Sequence, residues 1–147
     1  MNNVYETLAH VQWECKYHVV IVPKYRKKIL YGQVKQRVGE LLRMLAKQKE
    51  VEIVEGYVCK EHVHMVLSIP PKYSVAMIIG YMKGKSAIWL HQEFSKDYKN
   101  YHGKHFWSRG YYVSTVGLNE EIIKKYVRNQ ENDDKRSEGQ QLDLKWA

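Results

Sequence analysis

VEIVEGYVCKEHVHMVLSIPP, residues 51–71, carries two consecutive strand patterns in the middle of the chain. Residues 51–59 form the first, with Gly56 marking a bulge. Residues 62–69, HVHMVLSI, form the second and stop at Pro70 and Pro71. Side chains alternate between the two faces of a strand. Val63, Met65, Leu67 and Ile69 therefore share one face, which suits a core, and His62, His64, Val66 and Ser68 share the other. On the N-terminal side, Val34, Val38, Leu41, Leu42 and Leu45 recur at helical spacing over residues 34–49. Ahead of that helix, residues 14–22, ECKYHVVIV, alternate as a strand and end at Pro23.

On the C-terminal side, Ser74 can cap a long helix. Its broad apolar face holds Val75, Ile78, Ile79, Met82, Trp89 and Leu90. Gly80 and Gly84 lower its propensity and suit the close approach of another backbone. Residues 96–110 form a polar, aromatic loop, and residues 111–116, YYVSTV, a fourth strand broken by Gly117, about which a last helix can move as a unit. Asn119 can cap that helix, with Glu120 and Glu121 in the first turn, where the helix dipole favours acidic groups. After Gln130 the apolar pattern stops. Residues 1–130 thus read as a single domain and residues 131–147 as a charged, mobile tail. The element order gives an α+β, ferredoxin-like βαββαβ antiparallel sheet with an added C-terminal helix. That fold hosts many functions and selects none.

A chain of 147 residues has the size of one domain. Lys and Arg number 24 against 16 Asp and Glu, a net +8. The charge is uneven: residues 131–147 carry a net −2, and the body before them +10. A basic body in a chain with 12 Tyr and 4 Trp suits a polyanion, of which nucleic acid is the commonest. No apolar run approaches the roughly 18 residues of a membrane span. The first ten residues lack a secretory pattern, so the cytoplasm is the expected compartment. Cys15 and Cys59 form no CxxC pair and read as reduced thiols packed as small apolar groups.

Three features could carry chemistry. His62 and His64 stand side by side on one strand face, with Cβ atoms about 7 Å apart, close enough to converge on one metal ion. The same pair also fits two ordinary surface or core histidines, and spacing leaves both readings open. Tyr126 and Gln130, at i and i+4, lie on one helix face with Ile122. That pattern fits core packing, yet the Gln carbonyl oxygen could join two imidazoles around a divalent ion. Basic residues also interleave with aromatics: Lys24, Tyr25, Arg26, Lys27 and Lys28; Lys83 and Lys85; Lys104, His105, Phe106, Trp107 and Arg109. Cations neutralise phosphates, and planar rings stack on unpaired bases. GxxxxGK[ST], GxGxxG and GxSxG are all absent, so no nucleotide cofactor is expected.

Taken jointly, WECKYHVVIVPKYRKKIL, EHVHMVLSIPP, GYMKGKSA, FWSRGYYVSTVG and IIKKYVRNQ resemble the HUH-type single-tyrosine transposases. These are the TnpA proteins of the smallest bacterial insertion sequences. The resemblance runs from about Trp13 to Gln130. It implies that His62 and His64 bind a divalent metal, Mg²⁺ or Mn²⁺, that Gln130 is the third protein ligand, and that Tyr126 is the nucleophile. It further implies a homodimer with shared active sites that cuts and rejoins single-stranded DNA at hairpin-flanked ends through a 5′-phosphotyrosine intermediate. Lys24, Arg26, Lys83, Lys85 and Arg109 are the expected DNA contacts, from charge and from their place in the shared motifs. Imidazole ligands by themselves suit Mn²⁺ or Zn²⁺ better than Mg²⁺. Two other readings compete: a non-catalytic, domesticated hairpin binder, and a metal-dependent nuclease using water.

Overall fold

The computed structural model describes residues 6–8, 11–94, 105–115 and 119–146. A short antiparallel hairpin comes first, β1 (Glu6–Leu8) paired with β2 (Val11–Trp13). The main sheet contains β3 (Lys16–Ile21), β4 (Glu52–Cys59), β5 (His62–Ser68) and β6 (Tyr112–Ser114). Its order is β4-β5-β3-β6 and every pair is antiparallel. The helices are α1 (Gly32–Gln48), α2 (Val75–Phe94) and α3 (Glu120–Trp146). This is the expected α+β architecture, with strand, helix, two strands, helix, strand and helix in chain order.

The alternation along β5 sorts the sheet into two faces. Val63, Met65 and Leu67 are almost fully buried with Val19 and Ile21 of β3. Val34, Val38, Leu41, Leu42 and Leu45 of α1 cover them, as do Ile78, Ile79, Met82 and Leu90 of α2. Each such side chain contributes about 1.5–3 kcal/mol on burial. On the opposite face, Ile123 and Val127 of α3 pack on Val20 and Val22. Cross-strand neighbours lie on the same face. One row on the α3 side of the sheet therefore runs Tyr57, His64, Val20, Tyr112 from edge to edge.

The caps match their expected residues. Ser74 Oγ accepts from Met77 N at 3.1 Å, and Asn119 Oδ1 accepts from Glu121 N at 2.9 Å. Several local expectations do not hold. The irregularity in β4 falls between Ile53 and Glu55, while Gly56 pairs regularly with Met65. Trp89 is 44% exposed. A Cβ added at Gly80 or Gly84 would meet nothing within 4 Å, so no described backbone approaches α2 there. Gly117 and most of the polar loop, residues 95–104, lie outside the described residues.

Beyond Gln130, where the apolar pattern stops, α3 continues to Trp146. Its continuation is docked by polar groups, which apolar periodicity cannot register. Asp134 is only 4% exposed. Its carboxylate accepts from Tyr25 N at 2.9 Å and from Ser108 Oγ. Glu131 pairs with Arg26 at 3.0 Å.

Two stability outcomes follow, both measured by urea denaturation. Leu67→Ala lowers stability by about 2–5 kcal/mol, the range for a large buried side chain cut to alanine. Asp134→Ala costs about 1–3 kcal/mol by removing the acceptor of the Tyr25 amide and one of the two acceptors of the Ser108 hydroxyl; at a solvated tail position it would be silent.

Candidate active site

His62 and His64 project from β5 onto the α3 side of the sheet. Their ring centroids are 5.7 Å apart with planes inclined at 27°. Tyr57 of β4, opposite His64 in register, stacks on it at 4.9 Å. A cleft of about 180 Å³ lined by His18, Glu55, Tyr57, His64 and Val66 opens beside the stack. Burial holds the His62 pKa below the usual histidine value, and the neighbouring His64 lowers it further. Burial likewise lowers that of His64 against the pull of Glu55, with His18 adding to the lowering. The lowering favours the neutral rings, which have lone pairs to donate. His62 Nδ1 is buried and has no hydrogen-bond partner among the described residues. Neutral, adjacent imidazoles with an unsatisfied nitrogen fit a divalent cation.

A third donor stands beside them. Lys60 and Glu61 form the turn between β4 and β5, which sets Cys59 directly across from His62. Donor atoms of Cys59, His62 and His64 all lie within 4.8 Å of one another. Sequence reading treated Cys59 as a packing residue. The two-residue turn immediately after it was the signal that could have exposed it, because such a turn makes its flanking residues cross-strand neighbours.

Tyr126 lies on α3 over the same face. Its ring is 6.0 Å from that of Tyr112, and it packs in the cluster that contains Val20, the residue opposite His64. The hydroxyl is buried without a partner among the described residues. Burial pushes its pKa above the ordinary tyrosine range, and Asp134 and Asp133 push it further. Gln130 is half-buried one turn on. Its Nε2 is 4.0 Å from where a Cβ on Gly110 would stand. Gly110 itself has φ +74°, a conformation that favours glycine. Ile122, expected on the Tyr126 face, is 48% exposed.

The expected DNA contacts separate into two sets. Arg26 bridges Glu61 at 3.5 Å and Glu131 at 3.0 Å, linking the residue before His62 to the residue after Gln130. Arg26 and its neighbour Tyr25 both adopt positive φ, 52° and 62°. Lys83 Nζ donates to the carbonyl oxygens of Ser108 and Gly110, each at 2.6 Å. Burial lowers its pKa to about 8, with Asp134 opposing. These two cations are engaged in holding the chain together. Lys24 is half-buried, its ammonium 5.8 Å from the Tyr25 ring. Lys85 and Arg109 are exposed.

Comparison with known proteins gives a consistent picture. The family model for IS200-like transposases matches residues 11–130. The chain is 45% identical over 139 residues to the transposase of insertion sequence element IS200 from Salmonella typhimurium, covering 95% of this chain and 90% of that protein. It is 29% identical over 119 residues to the ISDra2 transposase TnpA of Deinococcus radiodurans, covering 80% of this chain and 85% of that one. A crystal structure of a Deinococcus radiodurans protein described as a transposase superposes with a TM-score of 0.75 at 27% identity, over 85% of this chain and 96% of the other.

The depressed histidine values set a pH dependence. A folded pKa below the unfolded one means that the unfolded state binds more protons, so stability falls as pH drops through about 6.5 and below. In metal-free protein followed by NMR, both rings titrate below 6.5. His64→Ala moves the His62 midpoint upward by removing the neighbouring charge.

Proposed function

The chain belongs to the IS200-like transposase family, and on that premise we propose that it exchanges strands of single-stranded DNA at hairpin-flanked ends, with Tyr126 as nucleophile and His62 and His64 as metal ligands. The carrying observation is the stacked histidine pair on the sheet face that α3 covers with Tyr126. Gln130 would add a carbonyl oxygen from one turn beyond the tyrosine. A divalent ion, Mg²⁺ or Mn²⁺, would supply charge neutralisation and orientation at the scissile phosphate.

The protein's own residues carry the rest. The Tyr126 oxygen bonds to phosphorus, the bond from phosphorus to the 3′-oxygen breaks, and that oxygen leaves as a 3′-hydroxyl after taking up a proton. The tyrosine proton passes to solvent. The 5′-phosphotyrosine bond conserves the phosphodiester's energy, so a second DNA 3′-hydroxyl can reverse the step onto a new junction without a nucleotide cofactor. A free tyrosine is mostly protonated at neutral pH, and burial holds Tyr126 still further from ionisation. Its partnerless hydroxyl supports a step in which α3 shifts, or a second copy's helix is supplied in a homodimer, before attack. Lys85 and Arg109, exposed and cationic, would meet phosphates, together with Lys24. Arg26 and Lys83 would reach DNA only by releasing their present partners.

The test is a single-stranded hairpin oligonucleotide incubated with the protein and Mn²⁺ or Mg²⁺, then run on a denaturing gel. The expected result is a covalent protein–DNA adduct in the wild type and none in Tyr126→Phe, which retains hairpin binding. An adduct in Tyr126→Phe removes this nucleophile. Cleavage with no adduct in either protein assigns the attack to water.

A further inference from the structure

We propose that Cys59 joins His62 and His64 in a three-donor site for a thiophilic divalent cation of the Zn²⁺ or Co²⁺ class. This rests on the reading of the histidines as metal ligands and deepens it.

Three observations converge. The sheet register sets Cys59 across from His62, and His64 follows on the same face of β5. The three donor atoms already lie within 4.8 Å of one another. Donors around one tetrahedral zinc ion stand about 3.3–3.6 Å apart, given metal–nitrogen and metal–sulfur bonds of about 2.0–2.3 Å. The difference is about 1 Å and lies within small rotations of the three side chains. The third observation is His62 Nδ1, buried with no hydrogen-bond partner among the described residues. Cys59 is itself a free, half-buried cysteine.

The donor type then selects the ion. Thiolate sulfur with two imidazoles suits zinc and cobalt, whereas Mg²⁺ prefers oxygen and keeps much of its water. Binding exchanges the thiol proton for the metal and releases that proton to solvent. The site carries three protein donors and leaves the fourth tetrahedral position for water or a phosphate oxygen. The same imidazoles therefore serve two donor sets. One is hard, completed by an amide oxygen from α3; the other is soft, completed by Cys59 from the neighbouring strand. The soft set lies wholly within the β4–β5 hairpin and does not depend on the position of α3.

The experiment titrates chelator-stripped, reduced full-length protein with Co²⁺ and follows its absorption. A near-ultraviolet thiolate-to-cobalt charge-transfer band should grow to one ion per chain. Cys59→Ser should lose the band and bind Co²⁺ at least about tenfold more weakly, since even outer-shell partners act on that scale. Cys59→Ala, which keeps the site apolar, provides the same reading if the serine variant folds poorly. Cys15→Ser should keep the band. Excess Mg²⁺ should not displace Co²⁺, and Zn²⁺ should. A wild-type cobalt complex without the band, or a band that survives Cys59→Ser and Cys59→Ala, overturns the assignment of Cys59. If the band is missing while Mg²⁺ or Mn²⁺ still supports the tyrosine adduct, Cys59 falls and the histidine reading stands. Failure of Co²⁺ to bind at all removes both.

Discussion

β5 is hydrogen-bonded along both edges, to β3 on one side and β4 on the other, and the rest of the molecule depends on that double pairing. Side chains on a strand repeat with period two, so a slip of one residue would exchange its entire core set for its solvent set. The burial of Val63, Met65 and Leu67 against α1 and α2 makes such a slip costly. The same burial consequently fixes where His62 and His64 point. Packing on one face of the sheet thus holds the imidazoles side by side on the other.

The site face obeys a different physics from the core face. Its groups are partly desolvated, so charged forms are disfavoured and unpaired atoms stand out. Burial favours the neutral form of both histidines and makes the Tyr126 phenol harder to ionise. The first of these favours metal ligation; the second would disfavour the proposed attack until the environment of the hydroxyl changes. Among the described residues few apolar side chains hold α3 down: Ile123 and Val127 meet Val20 and Val22. Further along, polar links take over, through Arg26 to Glu61 and Glu131, and through Asp134 to Ser108 and the Tyr25 amide. A helix docked through exchangeable polar groups is easier to reposition than one sunk in a core. That difference suits an element proposed to carry the nucleophile.

Much of the fold was legible because it rests on periodicity. The alternation of residues 62–69, the helical spacing of Val34 to Leu45, and the caps at Ser74 and Asn119 are local signals, and each appears where it was read. The β1–β2 hairpin escaped notice because three-residue strands are too short to display a period. The α3 extension escaped because it has no apolar repeat; a carboxylate far along the chain docks it. Trp89 was read as core because one face of a long apolar helix is hard to delimit when nearly every turn is hydrophobic.

By itself the sequence determined the sheet faces and the order of the main-sheet strands and helices, and it singled out candidate site residues, because side-chain chemistry and short-range periodicity are written locally. Only the tertiary structure decided which of those residues meet. Strand register brought Cys59 to His62 across a two-residue turn. Long-range polar pairing engaged Lys83 and Arg26 within the chain and buried Asp134. Such contacts join residues distant along the chain, and their energy depends on desolvation, which arises only when the surfaces close over one another.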